Sequence, residues 1–165
     1  QGGSGLGVSL ARDADQLRNA MVSCFAYDER ALIEQYIVGT EVAISVIDAG
    51  DGPRALPPVE VVSEGQYDFD ARYNPGRSEY FVPARLSSEL VERVQDTAVT
   101  VHQTLGLGNL SRTDLILDDD GTPWFIDVNV VPGMTKTSLL PLAADVAGDL
   151  PGLYNTLVHH PFVRP

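Results

Sequence analysis

The sequence predicts an α+β fold in which antiparallel or mixed β-sheets are flanked by helices. Pairs of short apolar runs are separated by turn-forming residues, a pattern typical of β-hairpins. Other segments repeat apolar residues every three or four positions, which indicates amphipathic helices. With 165 residues, 44% of them hydrophobic, the chain can form one or two small cores.

A glycine-rich loop opens the chain. Gly2, Gly3, Gly5 and Gly7 surround Ser4, so backbone amides of this loop can approach phosphate oxygens without clashes from Cβ atoms. On this motif alone, a plain hairpin or linker turn is the better interpretation.

The first helix is predicted to begin after Asp13, which suits a helix N-cap, with Gln16 completing a capping box. Its apolar residues share one face and predict contact with a core: Leu17, Ala20, Met21, Cys24 and Phe25. Since Cys24 is the one cysteine of the chain, we expect a small buried apolar residue rather than half of an internal disulfide.

Three β-strands are predicted next. Ala31–Val38 and Glu41–Ile47 are apolar runs joined by Gly39-Thr40, which indicates a hairpin. Arg54–Val62 is the third strand, and its Pro57-Pro58 pair marks a sheet edge or a bulge, because proline cannot donate to a β-ladder.

A loop and a second helix follow. The polar segment Gln66–Arg77 lacks periodicity and is predicted to be a mobile loop. Ser87 is predicted to cap a helix that ends at Gly106. The apolar face of this helix comprises Leu90, Val91, Val94, Ala98, Val101 and Leu105. His102 lies near that face, and we expect a structural or surface histidine rather than a catalyst.

A β-hairpin and two short helices complete the chain. The runs Leu115–Leu117 and Trp124–Ile126 flank the turn residues Asp119-Asp120-Gly121. Helices are predicted at Ser138–Ala147 and roughly at Pro151–Val158.

This hairpin brings polar side chains together. Asp114 is predicted at the head of its first strand, with Asp127 and Asn129 at the end of the second. Alternation places Asp127 and Asn129 on one face and Val128 on the other. Two carboxylates and an amide are hard oxygen donors suited to Mg²⁺, and the Arg112 guanidinium converges on them.

Composition excludes some functions. A formal net charge of −12 argues against broad nucleic-acid binding. Neither a bilayer-spanning apolar stretch nor a basic-apolar leader is found, so we expect a cytoplasmic protein without membrane contact.

The order of the motifs resembles the D-alanine–D-alanine ligases of the ATP-grasp superfamily. The strongest match is Ser111-Arg112-Thr113-Asp114 followed by Asp127-Val128-Asn129-Val130-Val131-Pro132-Gly133-Met134-Thr135-Lys136-Thr137-Ser138-Leu139. The glycine loop, the segment Leu32–Glu41 and Phe69-Asp70-Ala71-Arg72-Tyr73 match in the same order. The resemblance therefore covers nearly the whole chain and implies an ATP-grasp fold.

The resemblance also implies roles for individual residues. The implied catalytic residues are Ser4, Tyr73, Arg112 and Gly133, and Ser138 with Leu139 would bind the second substrate's carboxylate. ATP would be bound by Gly5, Glu34, Gln35, Ile37, Glu41 and Arg72. Asp114, Asp127 and Asn129 would hold two Mg²⁺ ions, for which Mn²⁺ can substitute.

The implied reaction has two steps. ATP phosphorylates the carboxylate of one D-alanine, and the amine of a second attacks the acyl phosphate to give D-alanyl-D-alanine for peptidoglycan synthesis. Two positions depart from the family pattern, because Asp127 replaces a glutamate and Arg72 a lysine. A carboxylate shorter by one methylene reaches about 1.5 Å less far, so a second metal is reached only if the strand shifts.

Two alternatives stay open on these residues. One is another carboxylate–amine ligase, such as a D-alanine–D-lactate or dipeptide ligase. The other is a nucleotide-binding ATP-grasp domain without turnover, which the two departures favour slightly.

The resemblance implies a domain organisation as well. Residues 1–50 would be part of the small ATP-grasp subdomain and residues 51–165 the C-terminal catalytic subdomain. We expect the chain to be the C-terminal portion of a longer ligase, lacking its N-terminal domain, and to turn over poorly by itself. The full-length parent is expected to be a homodimer.

Overall fold

The computed structural model describes residues 7–63 and 78–159. Its contacts divide the chain into two compact units, one of Gln1–Ile37 with Ser63–Glu79 and one of Val38–Val62 with Tyr80–Pro165. The strand at residues 40–47 belongs to the second unit, where it pairs with other strands. The predicted subdomain boundary at residue 50 stays a prediction.

The first unit contains helix α1, Ala14–Cys24. As predicted, Asp13 is the N-cap and accepts hydrogen bonds from the amides of Asp15 and Gln16. The predicted apolar face is less buried than expected, since Cys24 is only half-buried and Phe25 is 49% exposed. Among the described residues of this unit α1 is the one helix, and a lone short helix buries little of its surface.

The predicted strand Ala31–Val38 is absent, and these residues are irregular. Strand β1, Thr40–Ile47, is paired on one edge with β5 and on the other with β2 and β3. With both edges occupied, β1 cannot form the predicted hairpin across Gly39-Thr40. Most apolar side chains of the segment stay exposed, Leu32 to 81%, whereas Ile37 is half-buried.

Within residues 7–63 and 78–159, six strands form the sheet, in the order β4-β3-β1-β5-β6 with β2 also on β1. Besides β1, the strands are β2 Arg54–Ala55, β3 Val59–Ser63, β4 Ser78–Phe81, β5 Leu110–Leu117 and β6 Pro123–Asn129. Pro57-Pro58 separates β2 from β3, so the predicted single strand is two. Every pairing of β1, and that of β5 with β6, is antiparallel.

The described part of the second unit contains three helices: α2 Ser88–Thr104, α3 Leu139–Val146 and α4 Leu150–His159. Ser87 caps α2 as predicted, and its hydroxyl accepts from the Leu90 amide. Val94 and Ala98 of α2 pack against one face of the sheet, where they meet Val42, Ile44, Val46, Leu115 and Leu117. No helix within the described ranges is long and apolar enough to cross a membrane.

The turn between β5 and β6 is tightly held. The Asp118 carboxylate accepts hydrogen bonds from the amides of Asp120 and Thr122 and from the Trp124 indole. Gly121 has a φ of +75°, and Arg93 of α2 donates to its carbonyl oxygen. The hairpin is therefore fixed at its tip by its own side chains and by α2.

A buried hydroxyl offers a test of the core. Thr113 of β5 is fully buried, and its hydroxyl has no hydrogen-bond partner in the described part of the chain. An unsatisfied buried polar group costs about 1–3 kcal/mol, so Thr113→Val should increase the free energy of unfolding by about 1 kcal/mol. Urea denaturation measures this. Thr97→Val is the control, since the Thr97 hydroxyl donates to the Arg93 carbonyl, and the prediction is wrong if both variants lose stability alike.

The buried side chain of His102 predicts acid sensitivity. As expected, this histidine is structural, with Nδ1 lying 2.8 Å from the Ser111 hydroxyl. Burial lowers the pKa of His102 below its ordinary value of 6.5, although the nearby negative charge of Asp48 opposes that effect.

The unfolded chain therefore takes up a proton at this histidine near pH 6.5, whereas the folded chain takes it up only at lower pH. Stability should consequently fall as the pH drops below about 6.5. Urea midpoints between pH 7 and pH 5 should decline, and His102→Gln should flatten that decline. An equal slope in both proteins would show that other groups cause it.

Candidate active site

Five predicted site residues lie on one face of the sheet, opposite to the face that packs against α2: Glu41, Arg112, Asp114, Asp127 and Asn129. Strand β5 pairs with β1 on one side and with β6 on the other. A row here means three residues that are paired across these strands, one from each strand. The successive rows on this face are Glu41–Ile116–Trp124, Ala43–Asp114–Asp127 and Ser45–Arg112–Asn129.

These rows define a direction along the sheet. Adjacent rows on one face are separated by two residues, or about 6.7 Å. Glu41 therefore lies one row from Asp114 and two rows, roughly 13 Å, from Arg112. A carboxylate suited to hydroxyl groups, a carboxylate pair and a guanidinium follow each other in that order.

A β-bulge sets which side chains face the site. Asp114 pairs with Asp127, but Leu115 pairs with Phe125, so Ile126 is the additional residue. Val128 pairs with buried Thr113 on the α2 side, which confirms the predicted alternation around Asp127. The bulge turns Phe125 to the opposite face from Asp127. Sequence gave no signal for it, because Trp124, Phe125 and Ile126 are all apolar.

Asp114 lies in the middle of β5, not at its head as predicted. Its carboxylate accepts two hydrogen bonds from Arg112, with Nε–Oδ1 at 2.8 Å and Nη2–Oδ2 at 2.9 Å. Asn129 Nδ2 lies 3.5 Å from Asp114 Oδ2. The side chains of Arg112 and Asp114 are 14% and 21% exposed, so water screens this pair only partly.

The donor set fits a hard cation. Asp114 and Asp127 are cross-strand partners, and Asn129 bonds to the first of them. One oxygen of Asp127 accepts from the Val128 amide at 2.8 Å. No group of three or more His, Cys, Asp and Glu side chains that could hold a metal occurs within the described ranges. Two carboxylates and an amide suit Mg²⁺, which typically keeps water and phosphate oxygens as further ligands.

Gly133 and Ser138 lie against each other. A Cβ atom on Gly133 would come within 2.7 Å of the Ser138 hydroxyl oxygen. Ser138 precedes α3 but its side chain does not cap the helix. Its hydroxyl instead accepts from the Thr135 amide at 3.1 Å and lies 2.8 Å from the Thr135 hydroxyl. The amide of Leu139 thus begins α3 without a side-chain cap, which favours an anion there.

Thr135 is a neighbour that sequence reasoning left without a role. Its hydroxyl lies within hydrogen-bond distance of both Thr137 and Ser138. The signal was present, since Thr135 belongs to the Pro132–Leu139 motif.

The other predicted site residues are placed as follows. Glu41 is half-buried in its row on β1. In the first unit, Glu34 and Gln35 are exposed and Ile37 is half-buried, all in irregular chain. Ser4, Gly5, Arg72 and Tyr73, together with the whole predicted loop Gln66–Arg77, lie outside the described residues.

Comparison with known proteins identifies the family. Residues 1–160 match the model of the family described as D-ala D-ala ligase C-terminus. The chain belongs to this family, and its predicted α+β, ATP-grasp fold class is confirmed.

Individual relatives agree with this assignment. A D-alanine–D-alanine ligase of Halalkalibacterium halodurans is 43% identical over 150 residues, which are 90% of this chain and 49% of the relative. The D-alanine–D-alanine ligase of Bacillus anthracis complexed with ATP has a TM-score of 0.74 at 30% identity, over 90% of this chain and 48% of that one.

A second solved structure carries a different activity in its name. The VanG D-Ala:D-Ser ligase of Enterococcus faecalis has a TM-score of 0.75 at 29% identity, over 92% of this chain and 47% of that one. In each comparison the chain spans about half the length of the relative it matches.

Proposed function

We propose that the full-length protein joins two D-alanines with ATP, through an acyl phosphate, to supply D-alanyl-D-alanine for peptidoglycan precursor synthesis. The observation that carries the proposal is the order of three successive rows on one face of the sheet, with Glu41 in the first, the Asp114–Asp127 pair in the second and Arg112 in the third. Membership in the ligase family and the 43% identical D-alanine–D-alanine ligase support it.

In this proposal the nucleotide extends from one row to the next along the strands. Glu41 accepts hydrogen bonds from the ribose hydroxyls, because a carboxylate can take two such protons. The phosphates then extend toward Asp114 and Asp127, about one row away. From the family resemblance, Glu34, Gln35 and Ile37 contact the adenine, and Gly5 and Arg72 contact phosphates. The solved relative complexed with ATP supports ATP as the nucleotide.

Asp114, Asp127 and Asn129 would hold two Mg²⁺ ions, or Mn²⁺, whose charge would offset that of the phosphates when bound. Asp127 is shorter than the family glutamate, but cross-strand pairing keeps it on the face of Asp114. A carboxylate of this length would still suit one metal, whereas it would reach the second only if the strand shifts.

Arg112 meets the charge that develops during phosphoryl transfer and acyl attack, and its guanidinium stays charged throughout. The Gly133 amide donates to the tetrahedral oxyanion. Ser138 and the Leu139 amide bind the carboxylate of the second amino acid at the start of α3. From the resemblance, Ser4 and Tyr73 position the substrates.

Two rival functions make different predictions. The first rival is a ligase that uses another second substrate, such as a D-alanine–D-lactate or dipeptide ligase. The similarity to a D-Ala:D-Ser ligase favours this rival. The aspartate at position 127 favours a nucleotide-binding domain without turnover.

The deciding experiment incubates the full-length protein with ATP, Mg²⁺ and D-alanine, alone and with D-serine or D-lactate. We expect phosphate release that depends on D-alanine, with D-alanyl-D-alanine as the main product. A main product containing serine or lactate would establish the first rival, and nucleotide binding without any product the second. The isolated 165-residue chain should release little phosphate.

A further inference from the structure

The carboxylate of Asp114 is bonded in a way that conflicts with simple metal binding. Both of its oxygens accept from Arg112, at 2.8 and 2.9 Å, in a two-point arrangement. Yet in the proposed function the same carboxylate holds a divalent cation, and the same guanidinium contacts the phosphoryl group. While both oxygens of Asp114 accept from Arg112, a cation has to share these oxygens with the guanidinium, which keeps only its remaining N–H groups for a phosphoryl group.

The neighbouring side chains also present hydrogen-bond donors to this carboxylate. Asn129 turns its Nδ2 toward Asp114 Oδ2, at 3.5 Å, whereas a metal would require the amide oxygen. On Asp127, one oxygen accepts from the Val128 amide. The arrangement therefore neutralises Asp114 through N–H groups rather than preparing oxygens for a cation.

Charge disfavours simultaneous binding of the guanidinium and a cation to Asp114. A guanidinium and a divalent cation on the same oxygens would lie a few ångströms apart, and like charges repel strongly where water is limited. The exposed fractions of 14% and 21% for the two side chains place this pair in such a setting.

We propose that Arg112 and a divalent cation exchange on Asp114, so that metal loading releases the guanidinium toward the phosphoryl group. This inference rests on the proposed function. In the exchange, the cation replaces Arg112 on the carboxylate, and Asn129 turns its amide oxygen toward the cation. The Arg112 guanidinium is then free to contact the phosphoryl group only in molecules that have bound metal.

The exchange predicts that Arg112 weakens metal binding when no nucleotide is added. The test titrates Mn²⁺ alone into the full-length protein and follows the electron paramagnetic resonance signal of free Mn²⁺. Arg112→Gln should bind Mn²⁺ tighter than the native protein, by roughly 5- to 150-fold, the usual range for coupled sites. Arg112→Lys, which keeps the charge but loses the two-point contact, should lie between them.

A matched control separates local exchange from net charge. Arg54→Gln removes one positive charge from the same compact unit, where Arg54 pairs with Asp149 rather than with a site residue. Its Mn²⁺ affinity should stay near the native value. Asp114→Asn should lose most Mn²⁺ binding, since it removes a carboxylate ligand.

The outcomes distinguish the two proposals. Native-like Mn²⁺ binding by Asp114→Asn would remove the metal site of the proposed function. Loss of binding in Asp114→Asn, combined with equal or weaker binding in Arg112→Gln, would overturn the exchange alone. If Arg112→Gln does not fold, Arg112→Lys decides, because an affinity at or below the native one contradicts the exchange.

Discussion

Arg112→Ala in the full-length protein is expected to remove ligase activity while leaving ATP binding largely intact. The guanidinium lies two rows from Glu41, at the end of the site where the proposed reaction would develop charge. Removing one transition-state donor typically lowers kcat by about 10²- to 10³-fold, and losing a full charge lowers it further. Phosphate release measures the rate, and calorimetry with ATP and Mg²⁺ measures the affinity.

Arg112→Lys is the companion variant, since it retains a positive charge without the planar fork. It should recover part of the lost rate and change ATP affinity little. If Arg112→Ala weakened ATP binding as strongly as it slowed turnover, the side chain would be a ground-state phosphate anchor instead.

Gly133→Ala should impair use of the second amino acid. The added methyl group would lie 2.7 Å from the Ser138 hydroxyl oxygen, closer than real contacts allow, so the Ser138 side chain must move away from its contacts with Thr135. A displacement near 1 Å at a reacting site can cost on the order of 10²-fold in rate. Steady-state kinetics at saturating ATP should show a raised KM for the acceptor D-alanine and a lower kcat/KM.

A double variant tests whether that clash is the cause. Gly133→Ala combined with Ser138→Ala removes the oxygen atom that the methyl group meets and leaves a Cβ contact of 3.4 Å, which is tolerable. The double variant should therefore be no worse than Ser138→Ala alone. Additive losses would mean that Gly133 matters for another reason.

Elements that are determined by residues close to each other in sequence were predicted correctly. Asp13 and Ser87 cap their helices as expected, because a capping side chain acts on the amides of its own first turn. The hairpin around Asp119-Asp120-Gly121 forms because its turn residues and flanking apolar runs agree. The same-face placement of Asp127 and Asn129 follows from strand alternation alone.

Features that depend on distant partners could not be predicted in this way. Ala31–Val38 has the composition of a strand, but β1 has both edges paired with other strands. The bulge at Ile126 comes from the register between β5 and β6, which no residue type in that run marks. Both Arg112 and Asp114 were predicted to lie in the site from the sequence. Their two hydrogen bonds were not predicted, because they depend on the side-chain rotamers.

A crystal structure of the full-length protein with Mg²⁺ and a non-hydrolysable ATP analogue tests directly whether one sheet face orders the nucleotide from Glu41 toward Arg112. We expect ribose hydroxyls on the Glu41 carboxylate, metal on Asp114, Asp127 and Asn129, and the terminal phosphate facing Arg112. Nucleotide bound elsewhere, or metal held by other residues, would contradict this expectation.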